Sequence, residues 1–180
     1  MKSLFIVPSC INFSPEIPLD YTPVRSLFSP EERFQQSLET INSIRKFSPT
    51  SEILFVEISN LIPEHSEILI KRCEHVIFPN ESSLPIFEYF KDHPNKSLGV
   101  AFLLLQALYS LKTLQYPAYN LFFQLSGRYK LNSNFNIKNH IDKLFVAKKH
   151  KEFDSDNALY TTLFFFSKDF FDTFYLNMLW

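Results

Sequence analysis

Glycine is the residue this chain most lacks, with two in 180 residues, where average usage of about 7% would give about twelve. A sequence this poor in glycine keeps it where a side chain cannot fit or where φ must be positive. The two are Gly99, in Asn95-Lys96-Ser97-Leu98-Gly99, and Gly127, in Ser126-Gly127-Arg128-Tyr129. Each pairs an approachable backbone with a cation, which is the chemistry of an anion site, and phosphate is the first expectation. Plainer readings stand beside it. Gly99 would let a helix pack closely on a sheet, and Ser126–Tyr129 would be a turn after a strand.

The other scarcities each exclude something. Cys10 and Cys73 are the only cysteines; their spacing suits neither a metal site nor a disulfide framework, and a reducing compartment is expected. The five histidines show no ligand spacing, which argues against structural zinc. Neither Gly-x-x-x-x-Gly-Lys nor Gly-x-Gly-x-x-Gly occurs, so P-loop and dinucleotide fingerprints are out. Ser9 has no nucleophile-elbow setting. A net charge of -1 and no basic stripe argue against nucleic acid as a partner. The longest apolar run, Val100 to Leu105, falls well short of the roughly 20 residues of a membrane span. The first residues are too short for a secretory signal, so a cytoplasmic protein is expected.

What is present is apolar bulk: 46% hydrophobic residues, including 21 phenylalanines, enough for one folded domain over residues 1–180. Leu4–Val7, Ile53–Val56 and His75–Phe78 read as strands, the first two buried on both faces. Between them, Ser29-Pro30-Glu31-Glu32 signals a capped helix start, followed by Phe34, Leu38, Ile41, Ile44 and Phe47 at helical spacing. Arg33, one turn inside, defaults to the surface. Residues 11–28, with three prolines, read as loop, and about 63–72 as a short helix. Residues 96–114 read as a helix apolar nearly all round, hence central and buried. Strands follow at 120–125, 144–147 and 160–166, then a helix from Ser167-Lys168-Asp169. Lys148-Lys149-His150-Lys151 reads as solvated loop. The alternation predicts α/β class, three layers (α/β/α) and a mostly parallel central sheet.

In such sheets ligands bind beyond the C-terminal strand ends. That rule gathers Pro8-Ser9-Cys10, Glu57-Ile58-Ser59, Pro79-Asn80 and Ser126-Gly127-Arg128-Tyr129 on one edge. Lys96 and Ser97 join them at a helix N-terminus suited to an anion. Asp154-Ser155-Asp156 is an Asp-x-Asp triplet able in principle to hold a divalent cation, but it follows a charged loop and precedes a strand.

The order of pieces resembles glycosyltransferase-like proteins of bacteria and large viruses with the GT-A nucleotide-sugar fold. The likeness is carried by Glu32–Lys46, the Phe-Val-Glu-Ile-Ser strand end, the Asn-Lys-Ser-Leu-Gly helix start and Leu-Ser-Gly-Arg-Tyr-Lys-Leu. It implies transfer of a sugar from a nucleotide-diphospho-sugar donor to a glycan or other acceptor. By that resemblance Pro8, Ser9 and Glu57 face the nucleoside, while Lys96, Ser126, Gly127 and Arg128 hold the diphosphate and Tyr129 stacks on sugar or base. The family's metal-binding Asp-x-Asp is replaced by Ser126-Gly127-Arg128-Tyr129. Dependence on Mn²⁺ or Mg²⁺ and metal-free binding therefore both stay open. Asp154 and Asp156 are the candidates for catalytic base or metal ligand. GT-A domains also continue past the point where this chain ends, so a fragment, a shortened relative and an inactive one are all consistent with it. The alternatives to an enzyme are a non-catalytic nucleotide- or glycan-binding module and a purely structural domain.

Overall fold

Strands inside a parallel sheet are covered on both faces, and their apolar runs are therefore continuous. Ser3–Ser9 (β1), Glu52–Glu57 (β2) and Leu121–Leu125 (β4) follow this rule, each buried along almost its whole length. The computed structural model describes residues 1–79, 85–113, 119–149 and 159–178. With His75–Ile77 (β3), Phe145–Lys149 (β5) and Leu159–Ser167 (β6), they form one six-stranded sheet in the order β3-β2-β1-β4-β6-β5. The pairs among β1, β2, β3 and β4 are parallel, while β6 runs antiparallel to both β4 and β5. The class is α/β with a mostly parallel sheet, as the alternation predicts.

The helices lie on both faces. Pro30–Phe47 (α1) and Pro63–Arg72 (α2) cover one side, where Phe5, Val7, Ile53, Phe55 and Phe123 meet Phe34, Ile41, Ile44 and Leu69. Lys96–Thr113 (α4) and Lys168–Met178 (α5) cover the other, against Leu4, Ile6, Leu54, Val56 and Phe166. The phenylalanines serve both layers. Phe5 stacks on Phe123 at 4.9 Å, and across the sheet Phe122 stacks on Phe166 at 5.0 Å. Such pairs add about 0.5–1.5 kcal/mol beyond burial.

Helix α1 begins as its first residues dictate. The Ser29 hydroxyl accepts from the Glu32 N–H at 3.3 Å, and the Ser29 N–H donates to Glu32 Oε2 at 2.8 Å. Two expectations need correction, and one helix is new. Helix α4 is not buried all round: Leu103, Leu104, Ala107 and Leu108 face the core, whereas Leu98 and Tyr109 are exposed. Residues 85–91, assigned no element from the sequence, form a helix, Pro85–Lys91 (α3). Lys148 and Lys149 belong to strand β5 rather than a loop.

Gly99 owes its place to α3, not to the sheet. A Cβ there would stand 3.0 Å from the Phe90 carbonyl oxygen. Gly99→Ala gains helix propensity of about 1 kcal/mol and incurs an overpacking cost of roughly 1–3 kcal/mol. A net loss of about 1 kcal/mol is expected, a midpoint lower by roughly 2–4 °C in thermal unfolding. Unchanged or higher stability would show that α3 moves freely.

Candidate functional site

Strand β1 leads through α1 to β2 on one side, while β4 lies on its other side. The β1/β4 boundary is thus the point where the sheet's winding direction reverses, and in open α/β sheets a crevice opens there. It does so here. A cleft with about 710 Å³ of empty space, part of it open to solvent, lies at the C-terminal ends of these two strands. Its floor is Pro8, Ser9, Ser126 and Gly127, with Arg33 from α1 on one side and Lys96 from α4 on the other.

Gly127 sets the floor. Its N–H donates to the Pro8 carbonyl at 3.2 Å, extending the β1–β4 ladder past the strand ends. A Cβ at 127 would stand 3.3 Å from both Cβ and Oγ of Ser9. Close approach explains the glycine. The Ser37 hydroxyl lies within hydrogen-bond distance of the Gly127 carbonyl, 3.1 Å, and of the Arg33 carbonyl, 3.0 Å. Further along, the Leu131 N–H donates to Ser43 Oγ at 2.9 Å. A row of small hydroxyls on α1 therefore holds the chain that leaves β4.

Five cations line this cleft: Arg25, Arg33, Lys91, Lys96 and Arg128. Lys91 is paired with Glu88 and Asp92. Among the described residues none of the other four makes an ion pair. Arg25 is committed to the backbone, its guanidinium donating to the carbonyls of Lys91, Asp92 and His93 at 2.8, 3.1 and 3.1 Å. It closes the C-terminal end of α3. The Lys96 ammonium donates to the Arg25 carbonyl at 2.7 Å, which leaves two of its three protons for a ligand. Arg33 is 8% exposed, its guanidinium 4.8 Å over the Phe13 ring, and its buried Nε has no hydrogen-bond partner. Burial, then the charges of Arg128 and Arg25, push Arg33 below its ordinary pKa. The same causes act on Lys96, where burial and then Arg128, Arg33 and Arg25 push the ammonium down to about 8. The cleft is short of negative charge.

Of the residues expected at the site, Pro8, Ser9, Lys96, Ser126, Gly127 and Arg128 come together in the lining. Glu57 and Tyr129 do not line it. Glu57 is wholly buried, and its Oε1 accepts from the N–H of Ile11 at 3.0 Å and of Ser59 at 2.8 Å, and from the Ser59 hydroxyl. It ties the loop after β1 to the end of β2. Burial raises its carboxyl above the usual range, opposed by those bonds. Tyr129 is 48% exposed beyond the turn. Asp154, Asp156 and Asn80 lie outside the described residues. The sequence reading missed Arg33 and Arg25. A signal for Arg33 was available, because Arg33, Ser37 and Thr40 recur at helical spacing beside the apolar stripe, and all are buried. For Arg25 there was none.

No family model matches this chain, and no curated protein does. Among solved structures, it is similar to the crystal structure of a glycosyltransferase involved in the glycosylation of the major capsid of PBCV-1. The identity is 12% and the TM-score 0.46, over 98% of this chain. The chain spans 65% of the length of that structure. At these values the likeness transfers no residue role and no activity.

Proposed function

We propose that residues 1–180 form one domain that binds a nucleotide-diphospho-sugar in this cleft and transfers its sugar to an acceptor hydroxyl. The observation that carries the reading is the set of unpaired cations at the reversal point of the sheet. In the transfer the bond from the anomeric carbon to the β-phosphate oxygen breaks. The acceptor oxygen bonds that carbon and gives up its proton to a base, and the nucleoside diphosphate departs with one more negative charge. Fixed cations in a partly dry site stabilise that charge where it develops. Arg33, Lys96 and Arg128 would hold the diphosphate, with Pro8 and Ser9 beside the nucleoside. Glu57 contributes by fixing the loop that carries Cys10 to Asn12. Asp154 and Asp156 remain the proposed source of the base.

A second reading, a module that binds a nucleotide without transfer, draws on the lining itself. Among the described residues it contains no Asp or Glu to take the acceptor's proton. Donor turnover separates the two.

The experiment is a thermal-shift panel of nucleotide sugars and free nucleoside diphosphates. At about 100 times its Kd a ligand adds roughly 2.7 kcal/mol, a rise of roughly 5–10 °C. One nucleotide class is expected to give that rise, and Arg128→Ala to abolish it. No rise with any of them would overturn the reading.

A further inference from the structure

A diphosphate can be held in two ways: by a divalent cation on carboxylates, or directly by arginine and lysine. The described residues of this cleft fit only the second. Where the GT-A resemblance implies Asp-x-Asp, strand β4 ends in Ser126-Gly127-Arg128. Among the described residues, no three His, Cys, Asp or Glu side chains come together to hold a metal ion. Two described carboxylates whose charge reaches the lining residue Cys10, Glu57 and Asp92, have other uses. Asp92 accepts from the Ser14 N–H and hydroxyl and pairs with Lys91, and Glu57 is bonded to Ile11 and Ser59.

The cations are the opposite case. Arg33, Lys96 and Arg128 line the cleft without a carboxylate partner among the described residues, and the Arg33 Nε is a buried donor that nothing accepts from. A buried donor left unsatisfied is costly, and a phosphate oxygen would give it an acceptor. A divalent cation brought in with the ligand would instead add charge of the sign already in excess.

We infer that the cleft takes a diphosphate directly on Arg33, Lys96 and Arg128, with no divalent cation in the bound state. This rests on the proposed nucleotide-sugar site for the ligand's identity, and on the cation geometry alone for how it is held. Divalent cations then act as competitors for the ligand's charge and weaken binding.

The test is isothermal titration of the full chain with inorganic pyrophosphate and with nucleoside diphosphates, once in excess EDTA and once in saturating Mg²⁺ or Mn²⁺. The expected result is binding in EDTA, several-fold weaker when the divalent cation is added. Binding that needs the divalent cation would overturn the inference and leave the nucleotide-sugar reading standing. Pyrophosphate binding in EDTA with no gain from any nucleoside would support the direct cation site and overturn the nucleotide-sugar reading. No binding in any buffer would overturn both.

Discussion

Arg33→Met is expected to make the protein more stable and its cleft nearly useless. The two effects have one cause. The guanidinium is almost wholly buried, its Nε has no partner, and Arg25 and Arg128 add like charge around it. Replacing a buried ion pair by apolar side chains is commonly neutral or stabilising by about 1–4 kcal/mol, and a buried charge without an ion-pair partner has less to lose by the exchange. Against that stands the stacking on Phe13, worth about 0.5–2 kcal/mol. A net gain of about 1 kcal/mol is expected, or roughly 2–4 °C in the unfolding midpoint. Binding moves the other way. A hydrogen bond to a charged group contributes about 1.5–3 kcal/mol, so the affinity for pyrophosphate should fall about tenfold to a hundredfold. Calorimetry on the variant reads both quantities. A lower midpoint with undiminished affinity would make Arg33 a structural residue and remove the main support for the site.

That opposition explains why Arg33 was hard to read from sequence. A charged residue one turn into an amphipathic helix defaults to solvent, and the groups that meet it, the Phe13 ring and the Arg128 charge, come from distant parts of the chain. Strands β1 and β2 were legible for the converse reason, since burial on both faces leaves its mark within the strand itself. Helix α1 was legible because Ser29, Pro30 and Glu32 complete their interactions locally. Helix α3 spans seven residues, Pro85–Lys91, under two turns, too few for a period to show. At the site, rarity was a useful guide: both glycines sit against the cleft, though Gly99 answers to the Phe90 carbonyl and Gly127 to Ser9. Glu57 was placed correctly at a strand end, but its use depends on which donors reach it. Those belong to Ile11 and Ser59, a tertiary matter that strand-end position does not reveal.

Lys96 should give the binding a pH dependence unlike that of any arginine in the cleft. Its ammonium titrates near 8 because it is partly buried and faces Arg128, Arg33 and Arg25. The sign follows from where the proton is favoured. An anion binds best to the protonated form, so affinity is full below about pH 8 and falls as pH rises through it. The fall continues, by up to tenfold per unit, until the raised pKa of the bound state is passed. The other groups near Lys96 do not blur this window. The Cys10 thiol is pushed up to about 12, and with a nucleoside diphosphate as the probe the terminal phosphate, its second pKa about 6, is about 90% ionised by pH 7. His93 also lines the cleft, so a His93→Asn background isolates the lysine. Stability of the free protein should trend the opposite way. The folded state holds this proton less tightly than the unfolded chain, so stability rises with pH between about 8 and the ordinary lysine value of 10.5. Lys96→Arg is the decisive comparison, because a guanidinium stays charged throughout. Its binding profile should be flat from about pH 7 to about 9, the range over which the Lys96 ammonium, titrating near 8, loses most of its charge. An affinity that declines equally in the arginine variant would assign the pH dependence to another group and take Lys96 out of the anion's reach.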